Sequence, residues 1–158
     1  MKFADFICGK SISAGLESDD KEAVITEIVQ NLSKAGGISK DACDDIVAAI
    51  MKREELGSTG IGRGIAVPHT KHASVTKPVG TVAVSEEGVD FDSLDGEKVQ
   101  LLFLLVSPPD QPKDHLRALE HISRQLEEAT FRRFLKQSKT PADIQQLLEE
   151  ADNNQFVS

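Results

Sequence analysis

The chain has 158 residues, a formal net charge of −8 and two cysteines. This length is typical of one domain, which can bury about two-thirds of the surface that its unfolded chain exposes. The negative charge argues against general affinity for DNA, RNA or anionic membranes, because those ligands attract basic surfaces. Protein or small-molecule partners are therefore expected.

The cysteines and the apolar segments predict the compartment. Cys8 and Cys43 fit no CxxC pattern, and residues 1–18 lack the apolar segment of a secretory signal. The longest apolar run, at 101–106, is too short to span a bilayer. We therefore expect a soluble, cytoplasmic protein with reduced thiols and no membrane insertion.

Two helices are predicted in the first part of the chain. Apolar residues recur at helical spacing from Asp19 to Ala35, where Asp19 and Glu22 are placed like a capping box. A pair of glycines ends this pattern. A second helix is predicted to begin at the capping residue Ser39 and to end at Gly57.

Strands are predicted in the middle of the chain and helices after them. The predicted strands are 64–67, 79–84 and 99–106, and the last is apolar on both faces, as in the centre of a sheet. Helical patterns then follow at about 112–128, 130–138 and 141–151. The order predicts a single α/β domain over residues 1–152, a sheet covered by helices, with a polar tail at 153–158.

A glycine-rich segment precedes the first predicted strand. Its glycines allow tight turns and leave backbone N–H groups accessible to an anion; they are Gly57, Gly60, Gly62 and Gly64. A nucleotide loop is the first alternative, but the spacing fits neither GxGxxG nor GxxxxGK[ST], and the glycines precede a strand where such loops follow one.

His69 follows this segment directly. Pro68 fixes its own φ and biases Val67 towards an extended conformation, so His69 is predicted to project rigidly from the end of the strand. A neutral imidazole is a good nucleophile, because its unperturbed pKa is about 6.5. The alternative is an ordinary surface histidine.

A second histidine is predicted to face inward from the helix that starts near Lys113. At 100° per residue, His115 lies at the edge of an apolar arc, and His121 lies on the opposite, solvated side. The arc contains Leu116, Leu119, Ile122 and Leu126. Because His115 is in the first turn, it lies near unpaired N–H groups that favour an anion. A buried histidine with only a structural role is the alternative.

The histidines and serines also suggest two other kinds of chemistry. His69 and His115 could instead bind a metal, with His72 as a further ligand, but the spacing of His69 and His72 does not fix both rings on one face, and no HExxH motif is present. A serine nucleophile lacks support, since there is no GxSxG motif around Ser58 or elsewhere. A metal-dependent hydrolase therefore stays a minor alternative, and no metal ligand is predicted.

The segment GSTGIGRGIAVPH at 57–69, with Arg53 before it and KDHLxxL at 113–119, resembles the enzyme IIA domain of the fructose and mannitol class of the bacterial phosphotransferase system. The nitrogen-regulatory branch is the most similar, and the resemblance extends over about 10–152. It implies a mixed sheet flanked by helices on both faces, and neither a metal nor an organic cofactor.

The resemblance also implies roles for individual residues. His69 is the expected phosphoryl acceptor, charged by a small phosphocarrier protein, with His115 as its partner and Arg53 as the charge that steadies the phosphoryl oxygens. Ser58 and Thr59 are expected to hydrogen-bond there. The remaining expected phosphate-binding positions are the backbone amides of Gly62 and Gly64.

Two positions depart from the family pattern. Thr70 occupies a place where a small residue is usual, which puts the backbone path after His69 in question. Arg63 stands where asparagine or glutamate is commoner, and it is expected to add positive charge near the phosphate.

The resemblance leaves the use of the phosphoryl group open. The leading hypothesis is a nitrogen-regulatory protein whose phosphorylation state controls partner proteins, because no transporter domain is evident and the Gly-Ser-Thr-Gly-Ile-Gly loop suits that branch. The alternative is a sugar-specific enzyme IIA that passes phosphate to a membrane permease.

Overall fold

The computed structural model describes residues 1–156, which form five α-helices and one mixed five-stranded sheet. The helices are α1 Lys21–Lys34, α2 Cys43–Glu55, α3 Pro112–Leu126, α4 Ala129–Gln137 and α5 Pro141–Asp152. The strands are β1 Gly60–Gly62, β2 Ile65–Ala66, β3 His69–Lys71, β4 Val79–Val89 and β5 Val99–Ser107. None of these helices is long and apolar enough to cross a membrane.

Strand β5 is the centre of the sheet. It pairs with β4 in antiparallel orientation, and with β2 and β3 in parallel orientation. Ile65 lies opposite Leu101 and His69 lies opposite Leu105, so β2 and β3 keep the same offset from β5. They are therefore two halves of one strand that is interrupted at Pro68.

Both faces of β5 are covered by helices, which confirms the predicted architecture. One cluster joins alternate β5 residues to α1 and α2, and the other joins the intervening residues to α3, α4 and α5. On the α1–α2 face these are Leu102, Leu104 and Val106, and on the α3–α5 face they are Leu101, Phe103 and Leu105. The prediction of a central strand that is apolar on both faces was correct.

The first helix begins one residue later than predicted. The carboxylate that caps α1 belongs to Asp20, which accepts a hydrogen bond from the Ala23 N–H at 2.9 Å. The proposed capping box with Asp19 and Glu22 is therefore wrong. The prediction misplaced the start of the helix by one residue, because two adjacent aspartates precede its apolar residues and either carboxylate is chemically able to cap the helix.

The N-terminal segment packs on α3 and α5. The Asp152 carboxylate accepts hydrogen bonds from Phe3 N at 2.7 Å, Ala4 N at 2.9 Å and His121 Nε2 at 3.1 Å. The Phe3 ring lies edge-on to the His121 ring, with their centroids 4.4 Å apart. The expectation of a solvated His121 is wrong, because helical periodicity cannot reveal that a distant segment covers that face.

The predicted tail begins after α5. Phe156 packs against Phe131, with 5.2 Å between the ring centroids, and lies 6.5 Å from the Phe134 ring. Residues 157 and 158 lie outside the described residues.

Replacing Asp152 by Ala is expected to lower the free energy of unfolding by about 1–3 kcal/mol, because it leaves the partly buried donors Phe3 N and His121 Nε2 without their acceptor. Urea unfolding measures this change. Glu149→Ala, at an exposed position of the same helix, is the matched control and should change stability by less than about 0.5 kcal/mol. Equal stability of the two variants would contradict the proposed anchoring.

Candidate active site

His69 begins β3, immediately after the interruption at Pro68. Proline has no N–H and cannot donate to the β ladder. The Val67 carbonyl accepts a hydrogen bond from Nδ1 of His69 at 2.8 Å. Because a carbonyl oxygen can only accept, Nδ1 carries the proton, and in the neutral ring Nε2 presents its lone pair. The side chain is half-buried, so part of the ring that carries Nε2 is exposed to solvent.

His115 faces inward from the first turn of α3, as predicted. It is 5% exposed, and its ring centroid lies 5.6 Å from that of His69. Its Nδ1 lies 2.6 Å from Oγ of Ser107, the last residue of β5. The structure thus brings together the two histidines that the sequence singled out.

Burial lowers the pKa of His115 to about 4, with smaller contributions from the nearby His69 and Lys71 charges. The His115 ring is therefore neutral near pH 7 and carries one N–H proton. A neutral ring in this position can donate one hydrogen bond and accept another.

Leu116 lies beside His115 but outside the core. It is 57% exposed, whereas Ala118, Ile122 and Leu126 are at most 3% exposed. The prediction that Leu116 belongs to the buried arc is wrong, because His115 occupies the inward position of that turn. An exposed leucine therefore borders the histidine pair.

Arg53 lies in the last turn of α2, which packs against β3. Its Nη1 donates a hydrogen bond to the Gly57 carbonyl at 2.9 Å. Within residues 1–156, no hydrogen bond or ion pair joins Arg53 to either His69 or His115.

Ser58 and Thr59 use their hydroxyl groups within the protein. The Ser58 hydroxyl donates to the Phe91 carbonyl at 2.6 Å, and the Thr59 hydroxyl donates to the Glu54 carboxylate. The Thr59 carbonyl accepts from Val67 N at 3.0 Å. These contacts attach the loop to the strand that leads into His69.

The structure does not bring Gly62 and Gly64 to His69. They flank Arg63 in the β1–β2 hairpin, where Arg63 and Gly64 have φ values of 59° and 76°, as a two-residue turn of this kind requires. The hairpin precedes Ile65, four strand residues or about 13 Å before His69. The glycines therefore serve the turn.

Arg63 is held in the same hairpin by its backbone. Its N–H donates to the Asp95 carboxylate at 3.1 Å, and its carbonyl accepts from the Lys136 ammonium group. The expectation that Arg63 adds charge beside His69 is wrong for the same reason of distance along the sheet. Thr70 lies opposite Val106 in the regular β3 ladder, so the backbone continues as a strand after His69.

Two buried residues near the site were missed by the sequence reasoning. Glu54 is 7% exposed, forms an ion pair with Lys21 at 2.7 Å and accepts a hydrogen bond from Thr59 N at 3.1 Å. Ser107 is fully buried. In the sequence, Glu54 looks like one more polar helix residue and Ser107 like the start of a turn before two prolines, so neither carried a signal of its own.

His72 points to a different partner. Its Nε2 lies 2.5 Å from the Asp45 carboxylate of α2, and its Nδ1 lies 2.6 Å from the Ser74 hydroxyl. In the described part of the chain, no group of three histidine, cysteine, aspartate or glutamate side chains is arranged to hold a metal ion.

Comparison with known proteins decides the family. The sequence profile described as "Phosphoenolpyruvate-dependent sugar phosphotransferase system, EIIA 2" matches residues 6–151. The chain belongs to this family. As an EIIA chain it is a phosphoryl-transfer component of that system, and the resemblance seen in the motifs at 57–69 and 113–119 is confirmed.

The relatives of this EIIA chain include both nitrogen regulatory proteins and sugar-specific components. It is 30% identical to a nitrogen regulatory protein of Bradyrhizobium diazoefficiens, over 94% of this chain and 95% of that protein. It is 36% identical to the fructose-specific EIIABC component of Bacillus subtilis, over 96% of this chain but only 24% of that longer protein. The crystal structure of the nitrogen regulatory protein IIA-Ntr from Neisseria meningitidis superimposes with a TM-score of 0.82 at 27% identity, covering 92% of this chain and 98% of that one.

The buried His115 of this EIIA chain predicts a loss of stability in acid. The unfolded chain binds a proton near pH 6.5, whereas the folded chain resists it until about pH 4. The free energy of unfolding should therefore fall as the pH is lowered through this window, and the fall should be smaller in His115→Gln. Urea unfolding of both proteins at several pH values measures this difference. The carboxylates titrate in both proteins, so their contribution to the unfolding free energy drops out of the difference.

A direct check is the NMR titration of the His115 ring protons. A midpoint near pH 4 is expected, and a midpoint near 6.5 would contradict the burial argument.

Proposed function

We propose that this chain is a nitrogen-regulatory EIIA protein, which accepts a phosphoryl group on Nε2 of His69 from a small phosphocarrier protein and controls partner proteins by its phosphorylation state. The assignment of Nε2 as the phosphoryl acceptor is supported by the hydrogen bond from Nδ1 of His69 to the Val67 carbonyl. It occupies one ring nitrogen and leaves the other as the nucleophile.

The transfer requires no proton movement at His69. The bond between phosphorus and the donor atom breaks as the bond between phosphorus and Nε2 forms, and the donor atom keeps the bonding electron pair. Nδ1 keeps its proton, and the Val67 carbonyl stabilises the positive charge that the ring acquires. Phosphoryl transfer passes through a loose, in-line transition state, so positioning and charge stabilisation are the main tasks of the protein.

His115 and Arg53 are proposed to stabilise the phosphoryl oxygens. His115 is a neutral donor close to His69. Arg53 uses one guanidinium nitrogen at the Gly57 carbonyl, and its remaining N–H groups are able to bind a phosphoryl oxygen. Ser58 and Thr59 contribute by holding the loop between Arg53 and His69 in place.

Exposed leucines support a protein as the phosphoryl donor. Leu116, next to His115, is 57% exposed, and Leu56, three residues after Arg53, is 84% exposed. Apolar side chains that border a polar site are typical of surfaces that meet another protein. A small-molecule phosphate donor would gain little from them.

The regulatory role is favoured over sugar transport by the Gly-Ser-Thr-Gly-Ile-Gly loop and by the likeness to nitrogen regulatory proteins. The likeness to the fructose-specific component supports the second candidate, a sugar-specific EIIA that passes phosphate to a permease. The chemistry at His69 is the same in both cases, so the two differ only in what receives or senses the phosphoryl group.

We expect phosphoenolpyruvate, enzyme I and the phosphocarrier together to label this protein on His69 alone. The product should be stable in base and lost in acid, as a phosphorus–nitrogen bond is, and NMR of the phosphorylated ring should show the phosphorus on Nε2. His69→Ala should abolish labelling, whereas His72→Ala, the nearest histidine in sequence, should label normally. Full labelling of His69→Ala would refute the assignment.

The regulatory role predicts that the bound partners depend on phosphorylation. The phosphoryl group adds about 1.5 to 2 negative charges at the surface around His69. Partners captured by the phosphorylated protein should therefore differ from those captured by His69→Ala. Identical sets, together with rapid phosphate transfer to a sugar-specific enzyme IIB, would instead favour the transport role.

A further inference from the structure

Ser107 links the elements that carry the two histidines. Its hydroxyl oxygen lies 2.6 Å from Nδ1 of His115, and its carbonyl accepts a hydrogen bond from His72 N at 2.8 Å, just beyond β3. It pairs with Lys71 in the same ladder that places His69 opposite Leu105. The end of β5 therefore supports both sides of the histidine pair.

The direction of the hydrogen bond between Ser107 and His115 follows from burial. Ser107 is 0% exposed, and His115 Nδ1 is the only hydrogen-bond partner of its hydroxyl group in the described part of the chain. If Nδ1 were the donor, the hydroxyl proton would be buried without an acceptor, at a cost of about 1–3 kcal/mol. The hydroxyl group therefore donates, and Nδ1 of His115 accepts.

This direction fixes where His115 keeps its proton. A neutral imidazole has one N–H, and Nδ1 is occupied as an acceptor. The proton is then on Nε2, so the free nitrogen of His115 is a hydrogen-bond donor. The opposite tautomer would present a lone pair to the phosphoryl oxygens and would repel them.

We propose that Ser107 is a positioning residue for phosphoryl transfer, which acts through His115 by holding its ring in the orientation and tautomer that donate from Nε2. This inference rests on the proposed function of His69 and His115. It assigns no contact between Ser107 and the phosphoryl group.

The tautomer is tested first, without any phosphoryl donor. Long-range ¹H–¹⁵N NMR spectra of the native protein should show His115 protonated on Nε2 and bare on Nδ1. In Ser107→Ala the two nitrogen shifts should move towards each other, and the His115 titration midpoint should rise, because the neutral ring loses a stabilising hydrogen bond. Ser107→Thr, which keeps a hydroxyl group, should restore the native pattern.

The rate of labelling then tests whether Ser107 acts through His115. Loss of a positioned donor typically costs about 10²- to 10³-fold in rate, so His115→Ala is expected to give the slowest labelling of His69 among these variants. Ser107→Ala should label His69 about tenfold more slowly than the native protein, as expected for one buried hydrogen bond. Adding Ser107→Ala to His115→Ala should cause no further loss, because the residue through which Ser107 acts is absent.

The control is Ser11→Ala, which removes another buried hydroxyl group, one that bonds to Thr81 and to the Cys8 carbonyl. It should leave the His115 spectrum and the labelling rate unchanged. An unaltered His115 spectrum in Ser107→Ala, or a further loss of rate in the double variant, would overturn the positioning role. A complete lack of labelling at His69 would refute the proposed function. The NMR spectra would still decide the tautomer of His115, because they need no phosphoryl donor.

Discussion

The geometry of the site depends on the hydrogen bond that the His69 ring donates to the Val67 carbonyl. The strand formed by β2 and β3 keeps one register along β5, yet its ladder is interrupted at the proline. Next to that interruption, Nδ1 of His69 donates a hydrogen bond to the Val67 carbonyl at 2.8 Å. The pairing with β5 thus fixes the place of His69, and this hydrogen bond fixes the nitrogen that it presents.

The unbroken register also decides which face His69 occupies. Alternate residues of a strand share a face, so Ile65, Val67 and His69 lie on the same face of the sheet as Leu105 and Ser107, the side covered by α3. His115 reaches this face from the first turn of α3, and burial there keeps it neutral. The histidine pair therefore lies where a central strand, its interrupted neighbour and one helix terminus meet.

The sequence predicted the parts of this arrangement that follow a period. The central position of β5 and the inward direction of His115 follow from hydrophobic patterns, and both are confirmed. Three expectations failed because they depend on distant segments or on register: the burial of Leu116, the exposure of His121 and the place of Arg63. Comparison with the family pattern led us to expect the charge of Arg63 near the phosphate, whereas the hairpin carries Arg63 to the other end of β5.

The local character of the site bears on how the proposed phosphorylation of His69 would be sensed. The chain already carries a net charge of −8, so the two charges of a phosphoryl group change its overall field little, and salt screens that field beyond about 8–10 Å. Close to the histidine pair the balance is different, since Lys71 supplies positive charge and Leu116, next to His115 in the chain, is apolar and exposed. Only a partner that covers this surface experiences the change. Discrimination between the two states of His69 therefore requires direct docking over the histidine pair, and the Arg63 hairpin lies too far along the sheet to report it.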